Sequence, residues 1–200
     1  MNRLTPTLLA TAAGYLAGSI PSADIATRLA RTRANDLRAA GSGNPGALNA
    51  AAVLGRRWGA AVLGADMAKG AAAGVIGRAI AGPAGAYAAS TASIAGHIVP
   101  VWSGGRGGKG VATSAGACAA VFPVYFPIDA AVAATAAATA RNAERTIWIS
   151  SATWVAAAFV WWRRGLPNAW GPSPTGGLPL FALAGATMIL AKFRAARIPA

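Results

Sequence analysis

The sequence predicts an all-α integral membrane protein, a bundle of about seven helices in one polytopic domain over residues 1–200. Three observations carry that prediction. Charged residues make up 12% of the chain and hydrophobic ones 55%, against about a quarter charged in ordinary soluble domains. Alanine-rich apolar runs recur along the whole length, and mean hydropathy is +0.46. The basic residues stand mostly between those runs, as topology signals do.

The expected spans are Leu4–Ile20, Gly59–Ile80, Pro83–Trp102, Gly110–Phe126, Ile128–Ala140, Thr146–Trp162 and Gly177–Ala191. Several are shorter than the roughly 20 residues a lipid-crossing helix requires. The Phe126-Pro127 junction reads either as a re-entrant break or as a kink, and five spans remain the alternative count if the Gly110–Ala140 pair does not cross. The first run lacks a basic lead and a clear cleavage site, so it is expected to be a retained span.

Charge fixes an expected orientation. With the N-terminus outside, the inner segments hold Arg28, Arg31, Arg33, Arg38, Arg56, Arg57, Arg106, Lys109, Arg141, Arg145, Lys192, Arg194 and Arg197. The outer ones hold only Arg3, Arg78, Arg163 and Arg164. The positive-inside rule then predicts an N-out, C-in protein with its polar loops cytoplasmic. A net charge of +13 would suggest nucleic acid in a soluble chain. No basic helix or aromatic platform accompanies it, so anionic lipids or substrates are the expected partners. The single cysteine, Cys118, excludes an internal disulfide, and no cofactor or metal site is expected.

Three polar islands interrupt the apolar pattern. DLRAAGSGNPGALNA, Asp36 to Ala50, has the small residues that let backbone N–H groups form a nest for phosphate oxygens. Arg38 adds a guanidinium fork, and Ser42, Asn44 and Asn49 add hydrogen-bonding side chains; an ordinary connecting loop with a helix cap is the plainer alternative. GHIVPVWSGGRGGKGVAT, Gly96 to Thr113, carries the only histidine, His97, and a cationic glycine loop. It is not a Walker A loop, because Gly110 replaces the Ser/Thr that would hold magnesium. Its approachable backbone and two cations still suit a phosphate or acyl phosphate, although a flexible basic turn would look the same. The third island, GADMAKG, puts Asp66 and Lys69 three apart on one helix face, read as an ion pair that stabilises the bundle rather than as a catalytic dyad. Ser19 marks the inner end of the first span.

Together, YLAGSIP, DLRAAGSGNPGALNA, DMAKG and GHIVPVW…GGKGVAT, in this order, resemble the bacterial acyl-phosphate:glycerol-3-phosphate acyltransferases, the PlsY family. The resemblance covers about Tyr15 to Thr113 and then fades. It implies an integral membrane enzyme that moves a fatty acyl group from acyl phosphate to the 1-hydroxyl of glycerol 3-phosphate, giving lysophosphatidic acid for phospholipid synthesis. The matching positions are Ser19, Arg38, Ser42, Gly43, Asn44, Pro45, Gly46 and Asn49, then His97, Gly107, Gly108, Lys109, Gly110 and Thr113. Among these the resemblance implies catalytic roles for Lys109, Arg38, Ser19 and His97, and substrate or phosphate contacts from Ser42, Gly43, Asn44, Asn49, Gly107, Gly108, Gly110 and Thr113, joined by Ser150 and Ser151 of a later serine-rich motif. The chain departs from the family at Leu48 for a Thr, Ala52 for an Arg and Trp148 for a Ser. The C-terminal His-Arg-x-Asn motif is replaced by Phe193, Arg194 and Ala196. An inactive or re-specialised member, with another phosphorylated acceptor, is therefore the first alternative. A small transporter of anionic solutes is the second; internal symmetry would favour it, and none is found.

Overall fold

Where two helices of this chain meet, one of them has given up its side chain. In the computed structural model, residues 4–31, 36–139 and 143–196 are described, and among them every regular element is helical. They are α1 (Leu4–Ser19), α2 (Ser22–Ala30), α3 (Ala47–Leu54), α4 (Arg56–Ile98), a 3-10 turn (Val101–Ser103), α5 (Val111–Val121), α6 (Phe126–Thr139), α7 (Ala143–Arg164) and α8 (Gly177–Ala195). A Cβ on Gly14 would strike the Ala89 backbone, and one on Gly18 the Ser93 backbone. One turn on, Gly96 lies against the Tyr15 carbonyl. Small residues at such spacing let α1 lie parallel to the second half of α4 at backbone contact.

α4 is two arms. Ala81 (φ −142°, ψ 28°) and Gly82 (φ 60°, ψ −149°) leave the helix, and Pro83 opens the second arm, a position whose missing N–H costs nothing. The arms 56–80 and 83–98 fold back antiparallel, with Gly77 and Gly85 each against the other's carbonyl. This is the pair of spans expected on either side of residues 81–82. The first arm also runs alongside α5, where Gly70 meets the Thr113 carbonyl and Gly116 meets that of Met67.

The apolar core joins the second arm, α5, α7 and α8. Tyr87, Ile94, Val121, Phe122, Tyr125, Trp154 and Phe181 are its large buried members. Trp154 meets Phe181 edge-on at 5.1 Å between ring centroids. Loop 165–176, between α7 and α8, is pinned over one end of the bundle. Asn168 donates to the carbonyls of Val121 (2.9 Å) and Pro172 (2.8 Å), and Trp170 Nε1 donates to Ala119 (3.0 Å). Large apolar side chains face outward on each of these eight α-helices, among them Leu8 and Leu9 of α1, Val75 of α4, Phe159 of α7 and Leu180 of α8. A water-soluble surface does not carry such a belt.

Several expectations shift in detail. On length and composition alone, Arg56–Ser103 and Gly177–Ala195 are the two stretches able to cross a membrane among the described residues. α1, α5 and α6 have 16, 11 and 14 residues, each shorter than the roughly 20 a lipid-crossing helix requires. The break expected at Phe126-Pro127 falls earlier: α5 ends at Val121 and α6 starts at Phe126. The helices α2 and α3 were not expected, because runs of nine and eight residues are too short for a periodic signal. Arg3, Arg33, Arg141 and Arg197 of the charge count lie outside the described residues.

Candidate active site

The polar islands meet at the end of the bundle opposite loop 165–176. α1 ends there at Ser19, the second arm of α4 at His97, and α5 begins there just after Gly110. A narrow cavity of about 20 Å³ is bounded by Ser19, Asp24, Arg38, Asp66, Lys69 and His97, with the backbone of Gly107 and Gly108 closing one wall. Four of these polar side chains, Ser19, Asp66, Lys69 and His97, are buried to at least nine-tenths. A group so desolvated persists only where others satisfy it.

Asp66, Lys69 and His97 stand together, while Ser19 Oγ accepts from the Val101 N–H at 3.5 Å. Lys69 Nζ stands 2.9 Å from Asp66 Oδ1 and donates to the Ile20 carbonyl at 3.0 Å. His97 Nδ1 lies 3.4 Å from the same Asp66 oxygen. The ion pair expected between Asp66 and Lys69 is therefore formed, and it also lines the cavity and braces the histidine. On the far side of the ring, the His97 Nε2 edge packs on the Cα of Gly108, where a Cβ would collide with it. Gly107 is equally confined, its N–H donating to the Ile98 carbonyl at 3.2 Å. These two positions require glycine because the histidine and the end of its helix fill the space beside them.

Arg38 ties the two glycine segments together. Its Nη1 and Nη2 reach Asp24 at 2.6 and 3.3 Å, Nη1 also reaches Asp36 at 3.1 Å, and Nε donates to the Arg106 carbonyl at 2.7 Å. Ser103 Oγ completes the junction by donating to Asp24 at 2.9 Å. The Asp36 carboxyl is held below its ordinary range, chiefly because the Arg38 backbone N–H donates to it. Burial works against the Arg38 charge, yet the hydrogen bonds it donates to Asp24 and Asp36, and the charges of those carboxylates, outweigh it and raise the guanidinium pKa. Arg38 is thus charged at every accessible pH.

Not every candidate reaches the cavity. Ser19, Arg38, His97, Gly107 and Gly108 line it. Asn49 is buried and committed to its own loop: its Oδ1 accepts from the Ser42 N–H at 2.9 Å, and its Nδ2 donates to Leu37 (2.9 Å) and Ala40 (3.0 Å). Its role is to shape segment 37–42. Ser42 and Gly43 are exposed and Asn44 half-buried. Gly110, with φ 85°, caps α5, and buried Thr113 packs its carbonyl on Gly70. Lys109 sits over the Phe193 ring, 4.2 Å from its centroid. Ser151 lines a separate groove between α7 and α8, and the Ser150 hydroxyl is buried on α7.

The geometry adds residues that sequence reasoning left aside. Asp24 and Ser103 had no flag, because only the fold of α2 brings Asp24 beneath Arg38. Asp66 and Lys69 were flagged and assigned to stability alone; their neighbour His97 is what draws them into the cavity. Phe193 and Trp148, two departures from the family pattern, do not sit idle. Phe193 lies under Lys109, and Trp148 lies under Arg194 at 5.2 Å.

Comparison with known proteins agrees with this architecture. Crystal structures of PlsY (YgiH), an integral membrane glycerol 3-phosphate acyltransferase, superpose over 94% of this chain and 88% of theirs. The glycerol 3-phosphate form gives a TM-score of 0.77 at 27% identity, and the lysophosphatidic acid form 0.75 at 26%. The glycerol-3-phosphate acyltransferase of Sinorhizobium fredii is 39% identical over 156 residues, covering 78% of this chain and 75% of its own. That of Nitrobacter winogradskyi is 50% identical over 115 residues, and there the match covers 58% of each chain. The family description for glycerol-3-phosphate acyltransferase matches residues 8–198. With its fold matched over 94% of its length and the family description matched over residues 8–198, the chain belongs to the glycerol-3-phosphate acyltransferase family.

Proposed function

We propose that this membrane protein acylates the 1-hydroxyl of glycerol 3-phosphate, taking the acyl group from an acyl phosphate and releasing lysophosphatidic acid. The observation that carries the proposal is the Arg38 junction, where one side chain binds both glycine segments around one polar cavity. In the reaction the acceptor hydroxyl oxygen forms an ester bond to the acyl carbon, and the acyl–oxygen bond to phosphate breaks. His97 takes the hydroxyl proton and passes it to the departing phosphate, so the step balances with no redox partner.

Acyl phosphate is already activated, and alignment of two anionic substrates supplies much of the barrier reduction. Lys109 and the N-terminus of α5 hold phosphate oxygens, because the first turn of a helix leaves its N–H groups without intrahelical partners. Arg38 keeps the two segments at fixed separation and adds positive potential. His97, with Nδ1 turned to Asp66, presents Nε2 on the Gly108 side, where a neutral imidazole accepts a proton. Ser19, fully buried at the cavity wall, hydrogen-bonds the acceptor. The site faces the cytoplasm of a bacterial inner membrane, as the basic residues at its end of the bundle favour.

Complementation tests the proposal in a cell. A strain deficient in this acylation step should grow with the wild-type gene and fail with Lys109→Ala. Growth with neither, from correctly inserted protein, would favour a re-specialised member.

A further inference from the structure

We propose that Phe193 is a positioning residue for acyl transfer: its ring face holds the Lys109 ammonium where a substrate phosphate arrives. This deepens the acyl-transfer reading above and rests on it. The ammonium stands 4.2 Å from the ring centroid, well inside the roughly 6 Å over which the negative face of an aromatic ring attracts a cation. Lys109 and Phe193 are both half-buried, so water and salt screen the pair less than at an open surface. Both partners rest on one core. Phe193 packs against the cluster that includes Ile94, Ile98 and Ile189, and Gly110, next to Lys109, lies against Ile94 and Ile98. The residue after Phe193, Arg194, has its guanidinium 5.2 Å from the Trp148 ring. That contact ties the last turn of α8 to α7 and steadies the turn that carries Phe193.

A lysine at this place needs such a partner. It directly precedes Gly110, the N-cap of α5, and the positive end of a helix dipole repels a cation. Its flexible four-carbon stem also loses rotamer freedom wherever the ammonium is held. A carboxylate at position 193 would hold the ammonium and cancel the charge that a phosphate needs. A ring face carries no formal charge, so it fixes the ammonium and leaves its charge intact. Phe193 has no group that donates or accepts a proton. It therefore acts through Lys109 and not on the substrate. On this account, Phe at 193 replaces one means of organising the site by another.

The test changes the electrons of the ring and keeps its shape. In reconstituted full-length protein, monofluoro-, difluoro- and trifluorophenylalanine are placed at position 193 in turn. Fluorine drains the negative face at nearly constant volume, so kcat/KM should fall stepwise, to about fivefold below wild type. The loss should lie mainly in the KM of a phosphate-bearing substrate, with kcat moved less than about twofold. Phe193→Tyr keeps the ring face and should stay within about twofold of wild type, whereas Phe193→Leu should lose about fivefold. Phe159→Leu, which removes an exposed ring from α7, should alter neither constant. Equal activity across the fluorinated series, or wild-type activity in Phe193→Leu, would overturn the proposal. Should the wild type form no lysophosphatidic acid, the acyl-transfer reading falls and binding decides the pairing. Radiolabelled inorganic phosphate, in equilibrium dialysis with protein in detergent, should bind Phe193→Leu about fivefold more weakly than wild type. In a Lys109→Met background the same substitution should change the remaining binding less than about twofold. No effect of Phe193→Leu, or an equal effect in both backgrounds, would refute the pairing.

Discussion

At the scale of single residues, the site depends on partners that differ in what they tolerate. Arg38 spends its fork on Asp24, Asp36 and the Arg106 carbonyl, a geometry a lysine cannot reproduce. Arg38→Lys should therefore lose acyl transfer nearly as fully as Arg38→Ala, about a hundredfold, near the upper end of the roughly 1.5–3 kcal/mol of a charged hydrogen bond left unmade. Turnover in Arg38→Lys close to wild type would show that charge alone suffices. His97→Gln keeps a polar side chain but not a proton acceptor of imidazole basicity. It should lower kcat about 10²-fold or more while the KM for glycerol 3-phosphate moves little. Asp36 gives a pH signature. Its pKa is depressed from 3.8 in the folded protein, so its contribution to stability is present above that ordinary value and is lost as pH falls through the depressed one. Melting in detergent should separate wild type from Asp36→Asn at pH 7, and the two curves should converge at the acid end. The nest-forming glycines, Arg38 and His97 were legible from the sequence as residue types. The Asp24 and Ser103 contacts were not, because they join positions 79 apart through a junction that no local pattern encodes.

At the scale of helices, contact is set by missing side chains. α1 lies on the second arm of α4 through Gly14, Gly18 and Gly96, and this fixes Ser19 beside His97. Gly18→Leu places a branched side chain where the Ser93 backbone stands. It should destabilise the protein by about 3 kcal/mol or more, the range of severe overpacking, visible as a lowered Tm and aggregation in detergent. An unchanged Tm would mean that α1 is not seated by this contact. The long apolar runs and the Gly82-Pro83 break announced their helices plainly, since periodicity and backbone chemistry are local. The helices α2 and α3 were missed for the opposite reason: their helicity comes from packing Ala23, Ala26, Ala50 and Leu54 onto Val62 rather than from their own length.

At the scale of the whole molecule, a short, apolar bundle carries its chemistry at one end. The opposite end is closed by Asn168, Trp170 and Arg78, which donates to the Trp170 carbonyl at 2.6 Å. The charge count along the sequence assigns these ends to opposite faces of the membrane. Single cysteines at Arg106 and Ser173, in a Cys118→Ser background, should react with an impermeant maleimide from opposite sides, Arg106→Cys only after the cytoplasmic face is opened. Labelling of both from one side would contradict the topology. The serine pair on α7 shows where whole-molecule placement escapes sequence. A motif match placed Ser150 and Ser151 with the phosphate groups, whereas Ser151 faces the groove between α7 and α8.

The central claim is that two glycine segments joined by Arg38 make one acyl-transfer site, even with Phe193 and Ala196 where the family carries His and Asn. The most direct measurement gives purified, reconstituted protein hexadecanoyl phosphate and radiolabelled glycerol 3-phosphate, and follows labelled lipid. The account predicts lysophosphatidic acid from the wild type and essentially none from Lys109→Ala or Arg38→Ala. Folded wild-type protein that forms no lysophosphatidic acid, or variants that form it at the wild-type rate, would contradict it.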